Sequence, residues 1–286
     1  LDRTGKGLRS SPRDAFLAES VSERDRGAAF GWHRAMDTMG AAIGPLLAVS
    51  FLSLGPQSLR QIYFWALIPG FLSVVFVFSV REKKSSRPTL TATSKFKWSA
   101  LSSKFKLYLV AWGAFSIANS SDVFLLLKAK QVGIDLRVTI LMYCFYNLIY
   151  AALSPYFGKL SDRLGRKVVL ILGLSVFSCV YLGFAWAHHA WQLWALFGVY
   201  GIYMAATDGV GKAFAVDLVP RHLKATGLGA LGAVTGVCTI VASSMAGLLW
   251  DRVGATAPFV YGASGALIAG FILVFLRKGD LHASMA

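Results

Sequence analysis

The stretch GKLSDRLGRK, Gly158 to Lys167, carries five charges and two glycines between two long apolar runs, Val138 to Phe157 and Val168 to Ala187. Hydrocarbon offers no partner for a backbone N–H or C=O, so each run must be a helix that satisfies its own hydrogen bonds. The ten residues between them must then turn the chain at one water face of a bilayer.

Working outward, the whole chain follows the same rule. Its 286 residues are 56% hydrophobic and 15% charged, with a mean hydropathy of +0.57, too apolar for an ordinary soluble domain. Eight stretches are span-length: Gly27 to Leu54, Ile62 to Val80, Leu107 to Leu127, Val138 to Phe157, Val168 to Ala187, Trp191 to Val216, Ala225 to Trp250 and Pro258 to Leu276. The expected class is an all-α polytopic membrane protein.

The net charge of +15 suggests nucleic acid until the basic residues are placed on this map. On one side lie 22, in the N-terminal segment, the stretch Arg81 to Lys106, the hairpin, Arg221 with Lys224, and the C-terminus. The other side holds five, Arg60, Lys128, Lys130, Arg137 and Arg252, while Arg34 and Lys212 fall within spans. That asymmetry is the positive-inside rule, so hairpin, linker and C-terminus are expected to be cytoplasmic, and no nucleic-acid partner is expected. Cys144, Cys179 and Cys238 all lie within spans, without metal-ligand spacing, and read as packing residues.

Residues 81–106 are rich in Ser, Thr and Lys and read as a basic cytoplasmic linker, its second half suited to an anionic membrane surface. A repeat appears at an offset of 198: Ala15-Phe16 meets Ala213-Phe214, Glu19 meets Asp217, Val21 meets Val219, Arg26 meets Lys224 and Gly31 meets Gly229. Two parallel six-helix halves produce this kind of offset, although short apolar helices also resemble one another by chance. The expected organisation is 1–80 as the end of an N-terminal bundle, 81–106 as the linker, and 107–286 as a C-terminal six-helix bundle with a short tail. On this reading the chain is N-terminally truncated.

The hairpin, of the form G-x-L-[SA]-D-R-x-G-R-[RK], resembles the loop signature of the major facilitator superfamily of secondary transporters. The resemblance implies that Gly158, Asp162, Arg163, Gly165 and Arg166 form a gating loop holding the halves in one state; a purely topogenic turn is the alternative. Gly158 permits close helix approach, Gly165 a turn conformation closed to other residues, and Asp162 can face a neighbouring helix N-terminus. Gly31, Gly40 and Gly44-Pro45 are similar to the superfamily's antiporter motif, with Ala48 and Val49 at its last two glycine positions. They read equally as a plain small-residue packing face. Arg3, ahead of Lys6-Gly7, is similar to a fourth-helix arginine linked in the family to proton transfer, with lysine in place of glutamine.

Polar residues inside spans are expensive and point to a cavity or a partner. The coupling candidates are Asp37, His33, Arg34, Asp208, Lys212 and Arg3. His33 and Asp37 lie one turn apart, as do Asp208 and Lys212, and permanent helix-gluing ion pairs are the alternative. Cavity candidates are Asn119 and Asp122 in the polar run Asn119 to Asp122, where a broken helix is expected. Tyr143, Tyr146, Asn147 and Tyr150 share one helical face, and Tyr200 and Tyr203 form a second.

The resemblance implies alternating-access transport of a small molecule, most simply as a proton-coupled efflux antiporter. An importer or exchanger of organic anions is the alternative, and a non-transporting scaffold or receptor a third reading. No catalytic set, metal cluster or phosphate-cradling loop appears in the sequence, so neither an enzyme nor a cofactor is expected. The expected partners are substrate, protons and lipid, in a monomer of the bacterial inner membrane.

Overall fold

A computed structural model describes residues 2–53, 59–79, 98 and 101–276. Residues 81–97 of the linker and the C-terminal tail from 277 lie outside the described residues. Those described form ten α-helices: α1 Asp2–Ser20, α2 Arg26–Ser53, α3 Leu59–Ser79, α4 Ser103–Ala118, α5 Val123–Gln131, α6 Leu136–Leu164, α7 Arg166–Trp186, α8 Ala190–Asp217, α9 Lys224–Arg252 and α10 Ala257–Val274. A single 3-10 turn, Arg221–Leu223, joins α8 to α9.

Among the described residues six stretches are long and apolar enough to cross a bilayer: α4 with α5 taken together, then α6, α7, α8, α9 and α10. The protein is an integral membrane protein. The first of these begins at Ser103, ahead of the expected Leu107, because Ser102 caps it: the Ser102 hydroxyl accepts from the Phe105 N–H at 3.1 Å and donates to the Leu218 carbonyl at 2.8 Å. The same span is interrupted between Ala118 and Val123, where the run Asn119 to Asp122 leaves helical geometry. Asn119 N–H closes the end of α4 on Phe115 O at 2.8 Å, and Ser121 N–H bonds the Ser243 hydroxyl of α9 at 3.3 Å. Two amides of the break are therefore bonded within the protein, as non-helical backbone at membrane depth requires.

The chain divides into two compact units. Residues 43–100 hold α3 and the end of α2, where Phe51 and Trp65 stack with centroids 6.3 Å apart. In this unit α3 exposes Phe71, Phe76 and Phe78, side chains suited to lipid tails.

The larger unit contains residues 1–42 and 101–286. In it α8 packs on α6 and α7, α10 on α4 and α7, and α9 on α4 and α1. Small residues make these approaches possible, with Gly262, Ala263, Gly265, Ala266 and Ala269 all buried on α10. Aromatic rings fill the remaining space, Phe115 meeting Phe177 edge-on at 5.0 Å and Phe177 stacking on Tyr181 at 3.9 Å.

Candidate functional site

The hairpin is built around Asp162, near the end of α6. Its Oδ1 accepts from the Gly27 N–H at 2.9 Å and its Oδ2 from the Ala28 N–H at 2.8 Å. These are first-turn amides of α2, which no intrahelical carbonyl can reach, so a side chain from another helix does the work of an N-cap. The approach is possible because Gly27 and Gly158 face each other: a Cβ on either would collide with the other's carbonyl oxygen. Gly165, at φ +98°, is the one residue between α6 and α7, a conformation that disfavours any side chain.

Arg166 opens α7 and is 7% exposed. It pairs with Asp162 at 3.2 Å and with Asp217 of α8, and donates to Glu23 O at 2.8 Å and Ala213 O at 3.2 Å. Arg26 completes the knot, bonding Asp217 at 2.8 Å and Glu23 at 3.3 Å. Lys167 donates to Val274 O and Leu276 O at 2.7 and 2.6 Å, placing a cation on the carbonyl end of α10. Arg163 is exposed. Glu23, Arg26 and Asp217 were not singled out as site residues from sequence, since only the turn before α2 and the end of α8 bring them together.

The charged residues within α2 and α8, Arg34, Asp208 and Lys212 half-buried and Asp37 exposed, form a second group. Arg34 lies 2.8 Å from Asp37 and clasps Asp208, with Nη2 to Oδ1 at 3.1 Å. Its Nε is buried without an aligned hydrogen bond, so its 2.8 Å approach to Asp208 Oδ2 is ionic. Tyr150 of α6 donates to the same Oδ2 at 2.6 Å. Lys212 pairs with Asp14 of α1 at 2.6 Å, and Arg13 adds a contact to Asp14 at 3.1 Å. The pairing thus runs between helices rather than along one helix between Asp208 and Lys212. Asp14 and Lys212 are separated by 198 positions, the repeat offset. On the expected repeat, equivalent positions of the two copies meet beside the axis relating them, and opposite charges at that offset are the sequence signal for Asp14.

His33 is half-buried on α2 and Asp37 is exposed. Arg3 lies on α1 with its side chain outside the described residues. A Cβ at Gly31 would collide with Ser154 O, whereas at Gly40 and Gly44 it would meet no described atom within 4 Å. Pro45 sits inside α2, which continues to Ser53.

The third group surrounds the helix break. Tyr146 of α6 donates to Asp122 Oδ2 at 2.9 Å and Tyr200 of α8 to Oδ1 at 2.7 Å. Asn119 accepts from Tyr181 at 3.4 Å. Tyr143 packs edge-on to Tyr146 at 5.1 Å, and Tyr203 is buried beside Tyr200 and Phe177 at 5.2 and 4.7 Å. Asn147 is buried and donates to Tyr143 O of its own helix at 2.9 Å. The expected tyrosine stripe on α6 therefore serves two carboxylates on successive turns, Tyr146 holding Asp122 and Tyr150 holding Asp208.

Comparisons with known proteins agree with this architecture. The sequence model described as Major Facilitator Superfamily matches residues 4–143 and again 107–284. An uncharacterized MFS-type transporter of Methanocaldococcus jannaschii is 37% identical over 283 residues, covering 96% of this chain and 70% of the relative. The class H tetracycline resistance protein of Pasteurella multocida is 32% identical over 142 residues, 49% of this chain and 34% of that protein. Among solved structures, the human organic anion transporter MFSD10 superposes with a TM-score of 0.73 at 15% identity, over 92% of this chain and 67% of that one.

Proposed function

We propose that this chain, which belongs to the major facilitator superfamily and is a membrane transporter of small molecules, works as a proton-coupled efflux antiporter. The observation that carries the reading is the clasp of Asp208 by Arg34 and Tyr150, a carboxylate on one helix paired with a cation on a second and hydrogen-bonded by a phenol on a third. In alternating access α2 and α8 exchange neighbours. A carboxylate that loses its cation inside a bilayer costs several kcal/mol unless it takes up a proton. Proton loading at Asp208 and separation of Arg34 then become one event. Asp37, exposed and bound to the same guanidinium, is the second acceptor. Resistance-protein relatives favour export, and the hairpin knot is the latch that holds the cytoplasmic ends together in this state.

An importer or exchanger of organic anions would need Arg34 or Lys212 to face its substrate. Both are neutralised by carboxylates here, which favours the antiporter. We place the protein, as a monomer, in the plasma membrane with linker and C-terminus cytoplasmic.

The test is ethidium and tetracycline transport by the full-length protein in proteoliposomes carrying an internal pH dye. Asp208→Asn should abolish both ΔpH-driven drug flux and drug-induced proton flux, while Asp37→Asn should reduce them. Full coupling in both variants would refute the assignment.

A further inference from the structure

Two of the basic side chains at the hairpin are consumed by the protein itself, Arg166 by Asp162 and Asp217, and Lys167 by the carbonyls of Val274 and Leu276. Lys159 and Arg163 are not. They stand one turn apart on α6, both exposed, with no ionic or hydrogen-bonded partner among the described residues. The neighbouring carboxylate, Asp162, is occupied by Gly27, Ala28 and Arg166.

The helix face they share shows what surrounds them. Leu141, Phe145, Leu148, Ala152 and Tyr156 are all exposed, and at 3.6 residues per turn they fall with Lys159 and Arg163 inside roughly 80° of arc. An exposed apolar stripe on a spanning helix meets lipid tails. α6 begins at Leu136, after the cap Asp135, and rises roughly 30 Å by Tyr156, the thickness of a bilayer's hydrocarbon. Tyr156, 62% exposed, therefore stands at the interface, where a ring with a polar tip is favoured. Lys159 and Arg163 follow within roughly 11 Å along the axis, at headgroup depth. Leu164 and Val168, exposed on the two sides of the turn, add apolar surface beside them.

We propose that the hairpin end of α6 is a docking site for an anionic phospholipid, its phosphate held between Lys159 and Arg163 and its acyl chains lying along the stripe above Tyr156. Charge complementarity selects this occupant. Two unpaired cations repel the ammonium of a zwitterionic headgroup and attract a headgroup of net negative charge. A protein helix on the same face would have to bury both cations or bring carboxylates to them. The two basic residues are i and i+4 neighbours, so both flexible side chains can reach one phosphodiester. The site depends on neither the cargo nor the direction of transport.

The test uses the full-length protein in vesicles of phosphatidylcholine and phosphatidylglycerol at about 4:1, with a trace of photoreactive phosphatidylglycerol and peptide mapping of the crosslinks. Labelling should fall on residues 156–164 and be competed by added phosphatidylglycerol. Lys159→Gln or Arg163→Gln should each lower it about fivefold and the double variant about twentyfold, since each cation adds separately to attraction for an anionic lipid. Lys130→Gln, an exposed cation at the other end of the bundle, should leave it unchanged. Labelling that survives the double variant, or is competed equally by phosphatidylcholine, overturns the proposal and leaves plain contact with acyl chains. Competition by inorganic phosphate at the same concentration overturns it in favour of a free anion. A change from dimer to monomer in the double variant overturns it in favour of a second copy on this face.

Discussion

The hairpin knot and the Asp122 cluster solve the same physical problem in opposite ways. At the knot, Asp162, Asp217 and Glu23 meet Arg26 and Arg166, and charge is cancelled by charge with backbone groups filling the remaining positions. At the helix break a lone carboxylate is held by two phenols and no described cation. Paired buried ions fix helices in one arrangement, because removing either partner strands the other in a low dielectric. A carboxylate held only by neutral donors is equally well positioned but has no ionic partner. The first pattern joins helices by ion pairs and the second by hydrogen bonds alone.

The largest test of that contrast is Arg166→Ala. It leaves Asp162 without a cation and Asp217 with Arg26 alone, and should cost about 3 kcal/mol, read as a large fall in the thermal unfolding midpoint in detergent. An unfolding curve unchanged by the substitution would mean the knot is solvated and holds nothing. Gly158→Val comes next. Its side chain would enter the space of the Gly27 backbone, so α2 and α6 must part, at about 1–3 kcal/mol. Loss of stability should be accompanied by faster proteolysis of the turn before α2. A variant as resistant as the parent would show that this close approach is not required.

The sequence already showed the turn at Gly165 and the contact made by Asp162 but not the pairing inside the bundle. A short charged loop between two span-length runs has few ways to fold, so Gly165 as a turn and Asp162 facing a helix N-terminus follow from residue chemistry and local distance. The run Asn119 to Asp122 announced the helix break for the same reason, since four polar residues at membrane depth need partners. Which cation meets Asp208 was not legible. Lys212 is its neighbour on α8, but partner choice depends on the azimuth of α1 and α2 against α8, and no local pattern encodes that. Tyr150 was likewise grouped with Tyr146 by periodicity alone, although a single turn of α6 separates the reach of two different carboxylates.

Tyr200→Phe tests the other side of the contrast. Losing one hydrogen bond to a charged acceptor should cost about 1.5–3 kcal/mol, toward the lower end here because Tyr146 still holds Asp122. The same loss after Asp122→Asn should be smaller, and a double-mutant cycle on thermal midpoints measures the difference. Strict additivity would mean that the hydroxyl and the carboxylate do not interact.

The smallest effect belongs to Lys167→Met. This side chain keeps its aliphatic contacts but loses the ammonium that meets Val274 O and Leu276 O, worth about 0.3–1 kcal/mol at a helix C-terminus. Since Lys167 adjoins Arg166 yet lies outside the network joining α2, α6 and α8, its removal should lower the midpoint slightly and leave transport rates unaltered. Arg166 variants should change both. A transport defect in Lys167→Met as large as in Arg166→Ala would extend the latch to α10 and dissolve the distinction between the knot and the rest of the hairpin.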